Sequence, residues 1–350
     1  MILGLRPPRR TGAFGVYSRP TMEYRTLGRT GLRVSALGFG CGNVGGLIIR
    51  GTQAERERAV ARAVELGINY FDTAPVYGDG QSEQNLGQVM RALKPAVYIG
   101  TKVRVPPVPP SEIPAAITRS LDESLRRLGR ERVDLLQLHS PITLERSGRS
   151  VSAKDVLDAA VPALAKLVEG GKTGFYGITA LGDTAALLDV IGAGAVHTAQ
   201  VCYNLLNPSA GHVVPDGFPG QDFGRLLARC GASRTGVIVI RVLAAGALSG
   251  HDTRHPVAVP TVDPIASGPD YATDVQRARR LNALVEEGHA ESLVEASLRF
   301  ALAAETVSTV LLGYSSLEQL EYAAASVAKG PLPAATLARL PALWGRLASA

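Results

Sequence analysis

The chain has 350 residues, 46% of them hydrophobic, enough to bury one large core or two modest ones. Its formal charge is +6, but residues 1–21 hold Arg6, Arg9, Arg10 and Arg19 and no acid, so the remaining body is nearly neutral. That balance argues against a nucleic-acid surface, and no apolar run is long enough to span a bilayer. Cys41, Cys202 and Cys230 stand far apart with no C-x-x-C pair, which points to reduced thiols in a soluble, cytoplasmic protein. Pro7, Pro8 and Pro20 break the arginine-rich tail. It reads as a disordered extension over 1–21, ahead of one domain over 22–350.

From Arg33 onward, short apolar runs alternate with amphipathic helical ones. Val34 to Gly40 reads as the first strand, and Thr52-x-x-Glu55 is a capping box that opens a helix through Leu66. Strands over Asn69–Thr73, Val97–Val103 and Val133–His139 follow, each trailed by a helix: Ser82 to Leu93, Glu112 to Leu128, and Ala153 to Glu169. The second half repeats the rhythm, with strands at Gly174–Thr179, Thr198–Asn204, Gly236–Leu243 and Thr309–Gly313. Its helices are expected over Asp183–Ile191, Gln221–Cys230, Asp274–Glu287, Glu291–Ala304 and Leu317–Ala328. Eight strands each followed by helix predict an α/β fold, a single (β/α)₈ TIM barrel. A doubly wound sheet would need G-x-G-x-x-G after its first strand. Gly38-Phe-Gly-Cys-Gly42 misses that spacing.

The ends of the first four strands carry Gly40 and Cys41, Asp72, Lys102 and His139, with Tyr77 on the loop after the second. In a barrel these ends converge on one face, where such folds place their chemistry. A carboxylate ending an apolar strand needs a cation, and Lys102 can supply it. A phenol ionises near pH 10, so it moves protons at neutral pH only beside a positive charge. Lys102 serves that need too. A carbonyl oxygen held by Tyr77 and His139 would be polarised for hydride attack, so proton transfer is the expected chemistry.

These residues closely resemble the aldo-keto reductase superfamily. Phe71-Asp-Thr-Ala-x-x-Tyr-Gly78 with Ser82-Glu83, Gly100-Thr-Lys102 and Asp134-Leu-Leu-Gln-Leu-His139 look like its core signatures in order. Arg25-Thr-Leu-Gly-x-Thr-Gly-Leu-x-Val-Ser35 looks like the lead-in to its barrel. The resemblance runs from about Tyr24 to Val327. It implies a nicotinamide cofactor, NADP(H) or NAD(H), bound extended without a Rossmann domain, and reversible carbonyl reduction. By that carry-over Tyr77 is the general acid, Lys102 and Asp72 tune it, and His139 orients the substrate.

The resemblance also places the cofactor. Gly40 and Cys41, Thr179, Gln200, Arg241, Leu243, Ser249, Gly250, Gly313, Ser315 and Gln319 fall on its expected path. Departures occur there: Thr179-Ala180 stands where Ser-Asn is usual, Ile240 and Arg241 stand where an aromatic is frequent, and Ser315 replaces an arginine. Tyr322 and Ala323 replace a polar pair, so the choice between NAD and NADP stays open. The expected partner is a small carbonyl or alcohol, with no nucleic acid and no membrane. Two other readings share the residues: an NAD-dependent aldose dehydrogenase, and a nicotinamide-binding regulatory subunit with little turnover. His251-x-x-x-His255 lacks a third ligand, so no metal is expected. The loop from Gly250 to Asp270 suits a lid, and Trp344 is expected to staple the C-terminal helix. The substrate and the oligomeric state carry no code in the sequence.

Overall fold

A computed structural model describes residues 22–348. The extension expected over 1–21 lies outside the described residues. Eight parallel strands close a barrel: β1 Leu37–Gly40, β2 Tyr70–Asp72, β3 Tyr98–Val103, β4 Val133–Leu138, β5 Thr173–Ala180, β6 Thr198–Cys202, β7 Gly236–Ile240 and β8 Val307–Gly313. Closure comes where β8 pairs with β1, Gly313 opposite Gly40. The strands are buried on both faces, so they read as unbroken apolar runs such as Leu135-Leu136 and Val237-Ile238-Val239. Helices wrap the outside, and the expected capping box is made in both directions between Thr52 and Glu55. The (β/α)₈ architecture expected from the alternation is the one present.

Several boundaries differ from the sequence reading, each for a tertiary reason. The strand expected over Val34–Gly40 is two strands. Arg33–Ser35 pairs antiparallel with Tyr24–Thr26, and only Leu37–Gly40 enters the barrel. The break falls where Asn69 takes the Ser35 amide on its side-chain oxygen at 2.7 Å and Ser35 Oγ donates to Leu37 O. This hairpin lies across the barrel floor. There Gly28 approaches so closely that a Cβ would sit 2.2 Å from Gly236 N, and Leu27, Val34, Tyr70, Leu135 and Ile238 pack into a plug.

The helix expected from Gln221 begins instead at Leu226. Gln221 spends its amide on Gly182 O and Thr184 Oγ1, and Arg225 sits at φ 57°. The helix expected over Asp274–Glu287 starts earlier, at Tyr271, capped by the Asp270 side chain. It runs to Arg279 before a tight turn and a final segment, Ala283–Glu286. The run from Ala153 to Glu169 is helical throughout but widens to a π turn over Val156–Ala160, just ahead of Pro162, which has no N–H to give.

Trp344 does staple the C-terminal helix. Its Nε1 donates to Leu205 O at 3.0 Å, and its ring packs on His212 and Phe300. No helix among the described residues is long and apolar enough to cross a membrane.

Candidate active site

Strand alternation puts Tyr70 and Asp72 on one face of β2. Asp72 is only 1% exposed, so its charge must be met by donors. Three converge on it. Lys102, from β3, forms a close ion pair with one carboxylate oxygen. The other oxygen accepts from Tyr70 Oη at 3.0 Å and from Gln200 Nε2, on β6, at 2.7 Å. Gly100 makes room for this arrangement, because a Cβ there would lie 2.7 Å from Tyr70 Oη. Lys102 also donates to Thr73 O at 2.8 Å. Burial works against its ammonium, but Asp72 and then Tyr77 more than compensate and hold its pKa above the usual lysine range. Lys102 is therefore a fixed cation.

The loop after β2 delivers Tyr77 to this cation. Gly78, at φ 58°, donates its amide to Asn43 Oδ1 at 3.1 Å, and Ser82 Oγ donates to Cys41 O at 2.8 Å. Glu83 is fully buried between Thr101 Oγ1 and Arg127 Nε, both at 2.6 Å. The Ser82-Glu83 pair thus anchors the loop. Lys102 Nζ lies 4.7 Å from the centre of the Tyr77 ring, and the His139 ring stands 6.1 Å away, nearly perpendicular. His139 Nδ1 is buried without a partner. Burial, then Lys102 and Arg104, push its pKa down to about 3, so the imidazole is neutral. Asp72, Tyr77, Lys102 and His139 are brought together as a cluster.

A cavity of about 760 Å³ opens above them and runs across the ends of β7 and β8. Gly40, Thr179, Gln200, Arg241, Leu243, Ser249, Gly313, Ser315 and Gln319 all line it, whereas Cys41 and Gly250 do not. The Cys41 thiol turns to Phe39 O at 3.9 Å, and burial pushes its pKa well up. Sequence reasoning missed Tyr70, Asn43 and Arg104. Tyr70 had a signal, since it stands two residues before Asp72 on a strand.

The donor set suits a nicotinamide dinucleotide. Gln200 Oε1 takes the Thr179 hydroxyl at 3.2 Å and keeps a second lone pair for a carboxamide N–H. Arg241 bonds the carbonyl of Asp263, and Arg254 those of Ala245, Val259 and Val44. Neither has a carboxylate bonded to it among the described residues, so both charges are available to a diphosphate. Farther along, Ser315 is already committed. Its amide donates to Gln319 Oε1 at 2.8 Å and its hydroxyl to Gly45 O at 2.6 Å, with the exposed Glu318 beside them on the cavity wall.

A closed barrel with a lysine-braced tyrosine at its mouth defines a class, the barrel oxidoreductases of carbonyls and alcohols. The model of the Aldo/keto reductase family matches residues 36–344, and the chain belongs to that family. It is similar to an L-galactose dehydrogenase of Arabidopsis thaliana, 30% identical over 87% of this chain and 88% of that protein. It is also similar to a D-threo-aldose 1-dehydrogenase of a Pseudomonas species, at 29% identity over 91% and 95%. Among solved structures, the holo form of an aldo-keto reductase from Bacillus halodurans superposes with a TM-score of 0.68 at 24% identity, covering 93% of this chain and 96% of that one. The protein is thus an aldo-keto reductase-type oxidoreductase that works with a nicotinamide cofactor.

Proposed function

We propose that the protein interconverts an aldehyde or ketone with its alcohol, with Tyr77 as the general acid and base. The Asp72–Lys102 pair beneath the Tyr77 ring is the observation that carries this reading. A nicotinamide held in the cavity would supply or take up the hydride. Tyr77 Oη gives a proton to the carbonyl oxygen in reduction and takes it back in oxidation. The phenolate left behind is stabilised by the Lys102 ammonium in a site of low polarity. Asp72 keeps that ammonium charged and in place, and Tyr70 and Gln200 hold Asp72. His139 donates a hydrogen bond to the same substrate oxygen, and because it is neutral it does not compete with Tyr77 as a proton source.

Gln200 and Thr179 would hold the carboxamide, Arg241 and Arg254 the diphosphate. At the far end, Ser315 brings no positive charge and Glu318 brings a negative one, which favours a cofactor without a ribose phosphate. That observation supports the second reading, an NAD-dependent dehydrogenase of an aldose running in the oxidative direction. The names of the Arabidopsis and Pseudomonas relatives support it too.

Replacing Tyr77 with Phe tests the mechanism. Turnover is expected to fall by about 10²–10⁴-fold while NADH binding, followed by fluorescence, is kept. Turnover retained in that variant overturns the assignment. Titrating NADH and NADPH side by side into the unaltered protein decides the cofactor, and tighter NADPH binding overturns the role given to Glu318.

A further inference from the structure

We infer that Arg104 makes this site select substrates bearing an anionic group, a carboxylate or a phosphate, which its guanidinium binds while the reacting carbon lies between Tyr77 and His139. The inference rests on the function proposed above and adds the class of substrate.

β3 carries Lys102 to the mouth, and Arg104 follows two residues later on the cavity wall. Its Nε is buried without a partner, and the side chain makes no hydrogen bond or ion pair among the described residues. The other two arginines at the mouth differ, since Arg241 and Arg254 are both tied to backbone carbonyls. A buried N–H left unmade is costly, and native structures rarely keep one without a reason. Nor is the side chain loosely mounted. The next residue, Val105, is 2% exposed and donates its amide to Ser140 Oγ at 2.9 Å, and Pro106 and Pro107 stiffen the chain beyond.

Position separates Arg104 from the cofactor. In the ring of eight strands β3 stands directly opposite β7, whose end carries Arg241 toward the diphosphate path. Arg104 therefore faces the substrate side. Its nearness to the reaction centre shows in His139, where its charge is one of the causes that keep the imidazole neutral. A guanidinium offers five N–H groups in a planar fork, which fits a carboxylate or a phosphate oxygen pair far better than a neutral hydroxyl.

The test compares two matched pairs of substrates: succinic semialdehyde against butanal, and glyceraldehyde 3-phosphate against glyceraldehyde. The quantity read is the ratio of kcat/KM, anionic over neutral, in the unaltered protein and in Arg104→Met and Arg104→Lys. We expect a ratio of tenfold or more for at least one pair, carried by KM, and the pair that shows it tells carboxylate from phosphate. The ratio should fall to near one in Arg104→Met and lie between in Arg104→Lys. A ratio near one in the unaltered protein, or one that survives in Arg104→Met, overturns the inference while leaving the proposed function standing. Turnover of none of the four counts against the proposed function instead. Calorimetric titration of butyrate and of inorganic phosphate into the protein equilibrated with NADH then decides the inference. Saturable binding lost in Arg104→Met upholds it, and binding equal or absent in both overturns it.

Discussion

Replacing Lys102 with methionine keeps most of the side chain's volume and removes its charge. Asp72 then stays 1% exposed, with Tyr70 and Gln200 as its remaining donors. Breaking a buried ion pair by deleting one partner typically costs about 3–5 kcal/mol, because the stranded charge finds no solvent. The bonds from Tyr70 and Gln200 exist before and after the change, so they do not reduce that cost. One escape remains, uptake of a proton by the carboxylate. For an aspartic side chain that titrates near 3.9 in water, this costs about 4 kcal/mol at pH 7 but only about 1.5 kcal/mol at pH 5. The variant should therefore lose about 3–4 kcal/mol at pH 7 and roughly half of that at pH 5. With an unfolding entropy of about 2.1 cal/mol/K per residue, the pH 7 loss lowers Tm by roughly 5 °C. Adding Asp72→Asn removes the stranded charge and should recover part of the stability, while both variants remain inactive. Calorimetry at the two pH values measures all of this. A single variant within about 1 kcal/mol of the unaltered protein at pH 7, or a double variant no more stable than the single one, would refute the account of the buried pair.

Three further outcomes are expected. His139 is held near 3 in the fold against about 6.5 when unfolded, so its contribution is intact above pH 6.5 and fades as the pH drops toward 3. The slope is at most about 1.4 kcal/mol per pH unit, and urea midpoints between pH 7 and 5 should fall less steeply in His139→Gln; equal slopes contradict it. Gly100→Ala puts a methyl 2.7 Å from Tyr70 Oη, so Tyr70 must give up its bond to Asp72. A loss of about 1–3 kcal/mol in chemical denaturation is expected, and a neutral substitution would mean that Tyr70 does not bear on the pair. Trp344→Leu removes the bond to Leu205 O and a large buried ring, for about 2–4 kcal/mol. Because Trp344 is the single tryptophan, its native emission should be blue-shifted and shielded from iodide, and ready quenching would contradict the staple.

Much of this was legible because it is written locally. The alternation of strands and helices, the Thr52–Glu55 box and the polar residues that cluster at strand ends all depend on neighbours a few positions away. What escaped depends on contacts distant in the chain. Nothing between Val34 and Gly40 announces the break at Ala36, because Asn69 makes it. The late helix start at Leu226 is likewise set by Gly182 and Thr184. Tyr70 was hidden differently, since a tyrosine in an apolar strand reads as core until the oxygen it faces is known. Arg104 gave no signal for the opposite reason: its side chain bonds no other group among the described residues.

Among the described residues, the strand pair that lies across the barrel floor packs one end of the barrel shut and leaves the cavity at the other. Leu27, Val34, Tyr70, Leu135 and Ile238 fill the base beneath Asp72, so in the mechanism proposed above a proton lost by Tyr77 would leave by the mouth that the product uses. A ligand long enough to cover the groove from β2 to β8 then also shuts the phenol off from bulk water. If Tyr77 is the general acid, proton exchange and ligand release would then be one event.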